Sequence, residues 1–162
     1  MWGMQTPIRL YLDTSVIGGY FDDEWCAPTQ ELWRQMKAGC FCFVTSQVTM
    51  NELANAPAHV RDLFDKNFTQ ENLLPFNDEA EQLADAFLRH GILPPKYTDD
   101  ARHVAICTVA RIAHLVSWNF RHLVNPERRK GFNAINRLQG YPDVSIVNPW
   151  EIIYVDQYPE KI

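Results

Sequence analysis

Residues 8–20, with the sequence IRLYLDTSVIGGY, place the strongest constraint on the fold of this chain. A run of apolar, β-forming residues ends abruptly at Asp13, and Thr14, Ser15 and two glycines follow further on. This pattern is typical of an open α/β sheet, which binds its ligands at the carboxyl ends of the strands. We therefore predict that Asp13 lies at such a strand end, where acids from distant parts of the chain can join it.

Strand and helix patterns alternate along the chain. The predicted strands cover residues 8–12, 41–45, 115–118 and 144–147, and residues 73–76 form a short strand or a loop. The predicted helices cover residues 28–37, a segment capped by Ser46 that carries Glu52, then 58–68, 77–89, a segment capped by Thr98 or Asp99, 128–138 and 150–154. This alternation predicts an α/β fold with a mostly parallel central sheet flanked by helices, in one domain over residues 1–162.

Length and composition favour a soluble globular domain. The 162 residues are 46% hydrophobic and 22% charged, which suits one domain with a proper core. We expect no transmembrane helix, because no apolar run reaches about 18 residues. The first residues do not resemble a signal peptide. The four cysteines show no zinc or CxxC spacing, so we expect reduced thiols and a cytoplasmic location.

Charge is unevenly distributed along the sequence. The formal net charge of −5 argues against a strongly basic nucleic-acid binder. Between residues 62 and 100 there are nine acids and three bases, whereas between residues 121 and 137 there are five bases and one acid. An acidic centre beside a basic rim suits a metal-dependent phosphodiesterase, although a solvated helix face explains the same charges equally well.

Four acids are candidates for a shared site, and each also has an ordinary explanation. Asp13 can cap a helix, Glu52 can point to solvent, and Asp99 and Asp100 can be first-turn acids favoured by the helix dipole. His103 lies one turn from Asp100, where it can face the same pocket or serve a structural role. Converging carboxylates cannot all stay ionised without a cation, and a hard ion such as Mg²⁺ or Mn²⁺ prefers all-oxygen ligands.

Four motifs occur in order: LDTSVIGGYF at residues 12–21, VTSQVTMNEL at 44–53, DARHVA at 100–105 and LVSWNFRHL at 115–123. Together they resemble the PIN-domain family, especially its VapC-like toxin ribonucleases of toxin–antitoxin modules, over about residues 8–153. The resemblance implies a PIN-like three-layer fold and a magnesium- or manganese-dependent endoribonuclease that uses metal-activated water. It also implies Asp13, Glu52 and Asp100 as metal-binding and catalytic residues, an antitoxin protein as a partner, and a homodimer.

The sequence departs from the family pattern after the predicted strand at 115–118. Many family members carry a further acid where this chain has Asn119, which keeps an oxygen acceptor but loses a charge. We expect Asn119 to assist the three acids, while a second metal ion should bind less well. Residues predicted to have accessory roles are Thr14, Asp99, His103 and Ser117.

A basic rim is predicted to contact the RNA substrate. Cationic side chains can bind phosphates without reading sequence. The candidates are Arg102, Arg121, His122, Arg128, Arg129 and Lys130. Trp118 and Phe120 can stack on bases, although Trp118 suits a core position equally well.

Two rival functions remain at this point. A catalytically weak or inactive PIN-like domain that binds RNA or a protein partner is favoured by the amide at position 119. A phosphoryl-transfer domain also places acids at strand ends, but Asp13 lacks a second acid two residues on, and residues 117–119 supply no lysine. The RNA target, any activity on DNA and the number of metal ions do not follow from the sequence.

Overall fold

The computed structural model describes residues 6–154. Five strands within this range form one central sheet. The strands are β1 (Ile8–Leu12), β2 (Phe41–Ser46), β3 (Leu73–Leu74), β4 (His114–Val116) and β5 (Ser145–Val147). They lie in the order β3-β2-β1-β4-β5, and every pair is parallel. The predicted α/β class is confirmed, and the sheet is entirely rather than mostly parallel.

The strand order creates a switch point beside β1. The chain moves outward from β1 through β2 to β3 and then returns to place β4 on the other side of β1. Residues Leu10 and Leu12 of β1 pair with His114 and Val116 of β4. In open parallel sheets, ligands bind in the crevice that forms where the strand order reverses. The residues that follow β1 and β4 therefore share this crevice.

Eight α-helices surround the sheet. They are α1 (Thr14–Gly19), α2 (Cys26–Lys37), α3 (Gln47–Glu52), α4 (Ala58–Asn67), α5 (Asp78–Arg89), α6 (Thr98–Val109), α7 (Pro126–Leu138) and α8 (Pro149–Ile152) within residues 6–154. Short 3-10 turns cover Leu53–Asn55, Gln70–Asn72 and Pro95–Tyr97. None of the described helices is long and apolar enough to cross a membrane.

Side chains alternate between the two faces of the sheet and build two cores. Leu10 and Leu12 of β1 pack with α1, α2 and α4, whereas Tyr11 between them packs with α5, α6 and α7. This is the period of two that a strand imposes. The resulting arrangement of helix layer, sheet and helix layer is the predicted three-layer architecture.

Most predicted boundaries agree with the structure, and the differences have local causes. Ser46 and Asn77 cap α3 and α5 through their side chains, as predicted. The predicted cap of α6 is wrong, because the helix already includes Thr98 and follows Tyr97, which makes no side-chain cap. The β4 strand ends at Val116, before Trp118, and α7 begins two residues early at Pro126.

Gly19 permits the close approach of α1 to Trp118. A Cβ atom at this position would lie 2.7 Å from Cδ1 of Trp118 and 3.2 Å from Oγ1 of Thr29. The indole cannot easily move away, because its Nε1 donates a hydrogen bond to Thr29 and its ring stacks on Trp25.

We predict that Gly19→Ala destabilises the protein by about 1–3 kcal/mol, because the added methyl group overpacks this contact. Gly18→Ala is the matched control, since a Cβ there meets nothing within 4 Å. It should be neutral or stabilise the helix by up to about 1 kcal/mol. Urea denaturation of both variants measures the difference, and equal stabilities would contradict the packing role of Gly19.

Candidate active site

The structure places Asp13, Glu52, Asp100 and Asn119 around the carboxyl edge of the sheet. Asp13 follows β1 directly and caps α1, while Glu52 is the last residue of α3. Asp100 lies in the first turn of α6, and Asn119 follows β4. Four different elements therefore deliver these side chains to the crevice at the switch point.

Asp13 is the most firmly held of the three acids. Its side chain is 3% exposed, and Oδ1 accepts hydrogen bonds from the Ser15 amide (3.1 Å) and hydroxyl (2.6 Å). Its other oxygen accepts from the Ser117 hydroxyl at 2.5 Å. Burial raises the pKa of Asp13, although the charge of His103 and the two serine donors oppose this shift. The carboxylate is thus both a helix cap and a fixed group of the site.

Glu52 is held through one of its two oxygens. Oε1 accepts a hydrogen bond from the Thr14 hydroxyl at 2.5 Å and lies 2.8 Å from Nε2 of His103. Burial raises the pKa of Glu52, but the hydrogen bond and charge of His103 outweigh it and leave the pKa lowered. Glu52 therefore stays ionised, and the structure shows no hydrogen bond to its Oε2 among the described residues.

His103 connects Glu52 to a buried chain of hydroxyl groups. Its Nδ1 lies 2.7 Å from the Tyr11 hydroxyl, which lies 2.7 Å from Oγ of Ser46. Ser46 in turn accepts a hydrogen bond from the Val48 amide at 3.2 Å. Ser46 and Glu52 lie at opposite ends of α3, so this series of hydrogen bonds and the helix together form a closed ring. We call it the hydrogen-bond ring.

Glu52 fixes one proton in this ring, and the charge state of His103 fixes the others. A carboxylate can only accept, so Nε2–H of His103 donates a hydrogen bond to Glu52 whether the imidazole is neutral or charged. In the charged form, which the raised pKa favours, Nδ1–H also donates to Tyr11 and Tyr11 donates to Ser46, whereas in the neutral form Nδ1 accepts from Tyr11 and Tyr11 accepts from Ser46. Burial raises the pKa of Tyr11 well above its usual value, so the phenol keeps its proton. Burial lowers the pKa of His103, but the hydrogen bond and charge of Glu52 and the other carboxylates raise it overall.

We predict that Tyr11→Phe interrupts the hydrogen-bond ring, because it removes the hydroxyl group between His103 and Ser46. Nδ1 of His103 loses its hydrogen-bond partner, and the protein should lose about 1–2 kcal/mol of stability. At a pH high enough for His103 to be neutral, the preference for the Nε2–H tautomer should also weaken, because Nδ1 then loses its donor. Long-range ¹H–¹⁵N spectra of the imidazole report the tautomer. Tyr20→Phe is the control, because no hydrogen bond of the Tyr20 hydroxyl occurs within residues 6–154. An unchanged His103 tautomer would show that Tyr11 does not orient the ring.

Asp100 is the least compensated acid of the group. The one side-chain hydrogen bond it receives among the described residues is a long one, 3.4 Å from Nδ2 of Asn119. Burial and the negative charges of Asp13, Glu52 and Asp99 raise its pKa to about 6, against the opposing charge of His103. The carboxylates are therefore close enough to repel one another.

Asn119 points the NH₂ end of its side-chain amide, not the carbonyl oxygen, towards Asp100. Its Oδ1 accepts a hydrogen bond from the His122 amide at 3.0 Å, which leaves Nδ2 facing the carboxylate. Its backbone amide donates to Ser117 Oγ at 2.9 Å, and that hydroxyl holds Asp13. A continuous series of contacts thus connects Asp13 with Asp100. In this arrangement Asn119 offsets negative charge instead of supplying an oxygen ligand.

We predict that Asp100→Asn stabilises the protein in metal-free buffer at pH 8. The raised pKa means that the folded state binds more protons than the unfolded state between about pH 4 and 6, so the ionisation of Asp100 lowers stability as the pH rises through this range. The variant should gain on the order of 1 kcal/mol at pH 8, after allowance for partial exposure, and almost nothing at pH 4. Thermal unfolding in EDTA at both values tests this. A gain that did not depend on pH would contradict the repulsion.

Some of the remaining predicted accessory and rim residues have polar partners within the protein, and others are exposed without an ion pair among the described residues. Asp99 pairs with Arg102 at 3.4 Å, and its charge contributes to the raised pKa of Asp100. Arg128 donates to the Ile92 carbonyl, and Arg129 pairs with Glu151 at 3.2 Å. Arg121 and Lys130 are exposed, and neither forms an ion pair within the described part of the chain.

The structure contradicts the predicted role of His122 and decides between the two roles that the sequence left open for Trp118. His122 is 8% exposed and packs on Tyr97, and burial together with nearby cations lowers its pKa, so it offers no positive charge to a phosphate at neutral pH. Trp118 is 6% exposed and hydrogen-bonded to Thr29. It belongs to the core and is not available for base stacking, whereas Phe120 is 38% exposed.

No group of three His, Cys, Asp or Glu side chains between residues 6 and 154 is arranged so that it could hold a metal ion directly. The donor chemistry nevertheless suits a hard cation, because Glu52 has an unused oxygen and Asp100 is poorly compensated. The acids are therefore electrostatically coupled, but they do not form a closed set of ligands.

Three solved structures share this architecture. FitAcB from Neisseria gonorrhoeae matches at 14% identity and a TM-score of 0.55, covering 88% of this chain and 99% of its own. VapBC2 from Rickettsia felis, bound to a promoter DNA fragment, matches at 11% identity, 87% and 98% coverage and a TM-score of 0.55. DNA-bound VapBC from Salmonella typhimurium matches at 14% identity, 88% and 98% coverage and a TM-score of 0.54. The PIN-like fold is confirmed.

Identities this low establish the fold alone. A scan against family models finds no match, and a search of curated proteins by sequence finds none either. The roles of the site residues therefore depend on their geometry in this chain.

The sequence alone did not identify three hydroxyl residues of the site. The Ser15 hydroxyl donates a hydrogen bond to Asp13 and accepts one from the Trp118 backbone amide. Tyr11 and Ser46 complete the hydrogen-bond ring with His103. A polar Tyr hydroxyl on the buried face of β1 gives no local signal, because a tyrosine is an ordinary strand residue. Its partner on α6 is 92 positions away in the sequence.

Proposed function

We propose that this protein is a metal-dependent endoribonuclease that hydrolyses RNA phosphodiester bonds and acts as the toxin of a toxin–antitoxin pair. The observation that carries the proposal is the coupling of Asp13, Glu52 and Asp100 at the switch point of a PIN-like sheet. Acids whose pKa values are shifted by burial and by specific charged neighbours, and which lie together in a cleft, are candidates for a functional site. The placement of this cluster in the ligand-binding crevice supports a catalytic role.

In the proposed nuclease, one Mg²⁺ or Mn²⁺ ion would bind among Asp13, Glu52 and Asp100, and these side chains would have to move closer together to ligate it directly. When bound, such a cation lowers the pKa of a coordinated water molecule and neutralises charge on a phosphodiester. Asp13 supplies a rigid carboxylate, because three donors fix it. His103 and Thr14 orient Glu52 through Oε1 and leave Oε2 for other contacts. Asn119 donates to Asp100 and steadies the remaining acid.

Single-stranded or looped RNA is the proposed substrate. The exposed Arg121 lies two residues after Asn119, so its charge is available to phosphates near the acids, whereas the exposed Lys130 lies further away in the sequence, on α7. The solved structures with this fold include the two-component assemblies FitAB and VapBC. By analogy we propose an antitoxin protein as the partner of this chain, while homodimer formation stays a prediction.

A catalytically weak RNA- or protein-binding module is the second candidate. Two observations favour it: the amide at position 119 and the absence of a ready three-ligand group within residues 6–154. Calorimetric titration with Mn²⁺ separates the two functions. Binding at or below millimolar Mn²⁺ supports the nuclease, whereas no binding at millimolar concentration supports the binding module.

We predict that Asp13→Asn lowers Mn²⁺-dependent cleavage of a fluorogenic single-stranded RNA by more than about 100-fold. The amide oxygen can still accept from Ser15, so the cap of α1 is preserved and the fold should be retained. Asp85→Asn is the matched control, since Asp85 is an exposed acid of α5 outside the predicted site, and it should keep most of the activity. Cleavage that survives Asp13→Asn, or that continues in EDTA, would overturn the proposed mechanism.

A further inference from the structure

Four aromatic side chains form one cluster beside the carboxylates. Trp25 and Trp118 stack with their ring centroids 4.4 Å apart, and Trp150 packs edge-on against both, at 5.4 Å and 4.9 Å. Phe120 lies 5.7 Å from Trp25 and 6.1 Å from Trp118. We call these four residues the aromatic cluster. Its outer members are Phe120, 38% exposed, and Trp150, 52% exposed.

The inner part of the cluster is rigid and makes a firm base for the exposed rings. Trp118 is fixed on one side by the stack with Trp25 and on the other by the hydrogen bond from its Nε1 to Thr29 at 2.9 Å. Exposed aromatic rings that rest on a fixed base lose little side-chain entropy when a flat partner binds to them. Phe120 and Trp150 are therefore pre-organised for stacking.

The aromatic cluster is continuous with the candidate active site. The Trp118 amide donates to Ser15 Oγ at 2.8 Å, and the same hydroxyl donates to Asp13. Asn119, which separates Trp118 from Phe120 in the sequence, contacts Asp100. Within the segment 117–120, Ser117 and Asn119 contact the acids, whereas Trp118 and Phe120 belong to the aromatic cluster. The aromatic cluster and the acids are therefore connected through the backbone of this segment.

The chain around the exposed rings also carries positive charge. Arg121 follows Phe120 directly, is exposed and forms no ion pair within the described residues. Arg129 pairs with Glu151, the residue after Trp150. Flat apolar faces with neighbouring cations match the alternation of bases and phosphates in single-stranded nucleic acid. An apolar protein segment would gain little from these charges, and a duplex hides the faces of its bases.

We propose that Phe120 and Trp150 form a binding subsite for unpaired bases of a single-stranded RNA whose backbone enters the carboxylate crevice. This inference rests on the proposed function for the identity of the ligand. The subsite selects single strands over duplexes, because stacking needs exposed base faces. It tolerates different sequences, since every base offers such a face.

The test measures binding separately from cleavage. Fluorescence anisotropy follows a labelled single-stranded RNA oligonucleotide on the full-length Asp100→Asn protein in EDTA, which lacks one repelling carboxylate. Two pairs of variants separate stacking from simple apolar contact: Trp150→Leu with Trp150→Phe, and Phe120→Leu with Phe120→Tyr. Leu138→Ala is the control for an exposed apolar residue, because Leu138 is 66% exposed at the end of α7 and is not part of the aromatic cluster.

We expect each leucine variant to weaken RNA binding at least about fivefold, while the aromatic replacements and Leu138→Ala stay within about twofold of the parent protein. The parent should also prefer the single strand to the matching duplex. Equal affinity of the leucine and aromatic variants, equal affinity for duplex, or no binding of RNA at all would overturn the subsite.

Cleavage is then assayed separately on the wild-type protein with Mn²⁺. Ring-dependent binding without any cleavage would leave the subsite standing and would refute the nuclease. Cleavage together with binding that does not depend on the rings would refute the subsite alone.

Discussion

The parallel pairing of β1 with both β2 and β4 is the constraint on which the rest of the structure depends. It fixes the switch point of the sheet, and the loops that follow β1 and β4 must then meet at one edge. Asp13 binds Ser117 across this edge at 2.5 Å, so the site begins with a contact between two neighbouring strand ends. Glu52 and Asp100 join from helices that pack on one face of the sheet. Without β1 at the centre, the acids would have no common crevice.

Bringing three acids together costs stability, and the chain offsets this cost with donors from several elements. Ser15 and Ser117 hold Asp13, Thr14 and His103 hold Glu52, and Asn119 alone faces Asp100. Hydrogen bonds to ionised groups contribute about 1.5–3 kcal/mol each, so two of the acids are well compensated. The third is not, and its pKa of about 6 reports the imbalance. Strain of this kind is common where a site exchanges stability for function.

The elements that were predicted correctly have strong local signals, whereas the errors follow from contacts across the fold. The start of α5 was predictable, because Asn77 is a preferred cap residue and acids follow it in the first turn. The Ile8–Leu12 strand was predictable from its run of β-forming residues. By contrast, the sequence left Trp118 equally suited to base stacking and to the core, because its burial depends on Trp25 and Thr29, far away in the sequence. The acids could be selected as candidates from strand and helix ends. Most of the donors that hold them lie in the motifs that carry the family resemblance and were named as accessory residues. Ser15 was not, because a hydroxyl group gives no periodic pattern.

The amide at position 119 changes the charge balance of the site and thereby the number of cations that suits it. An aspartate there would place a fourth negative charge beside Asp100, whose pKa already shows repulsion from Asp13 and Glu52. With Asn119, the three carboxylates carry three negative charges, and one divalent cation neutralises two of them. A second divalent ion would reverse the sign of the site and would have to displace the Asn119 amide from Asp100. In the proposed nuclease, this favours one bound ion, with the positive end of the Asn119 amide taking the place that a second cation would need.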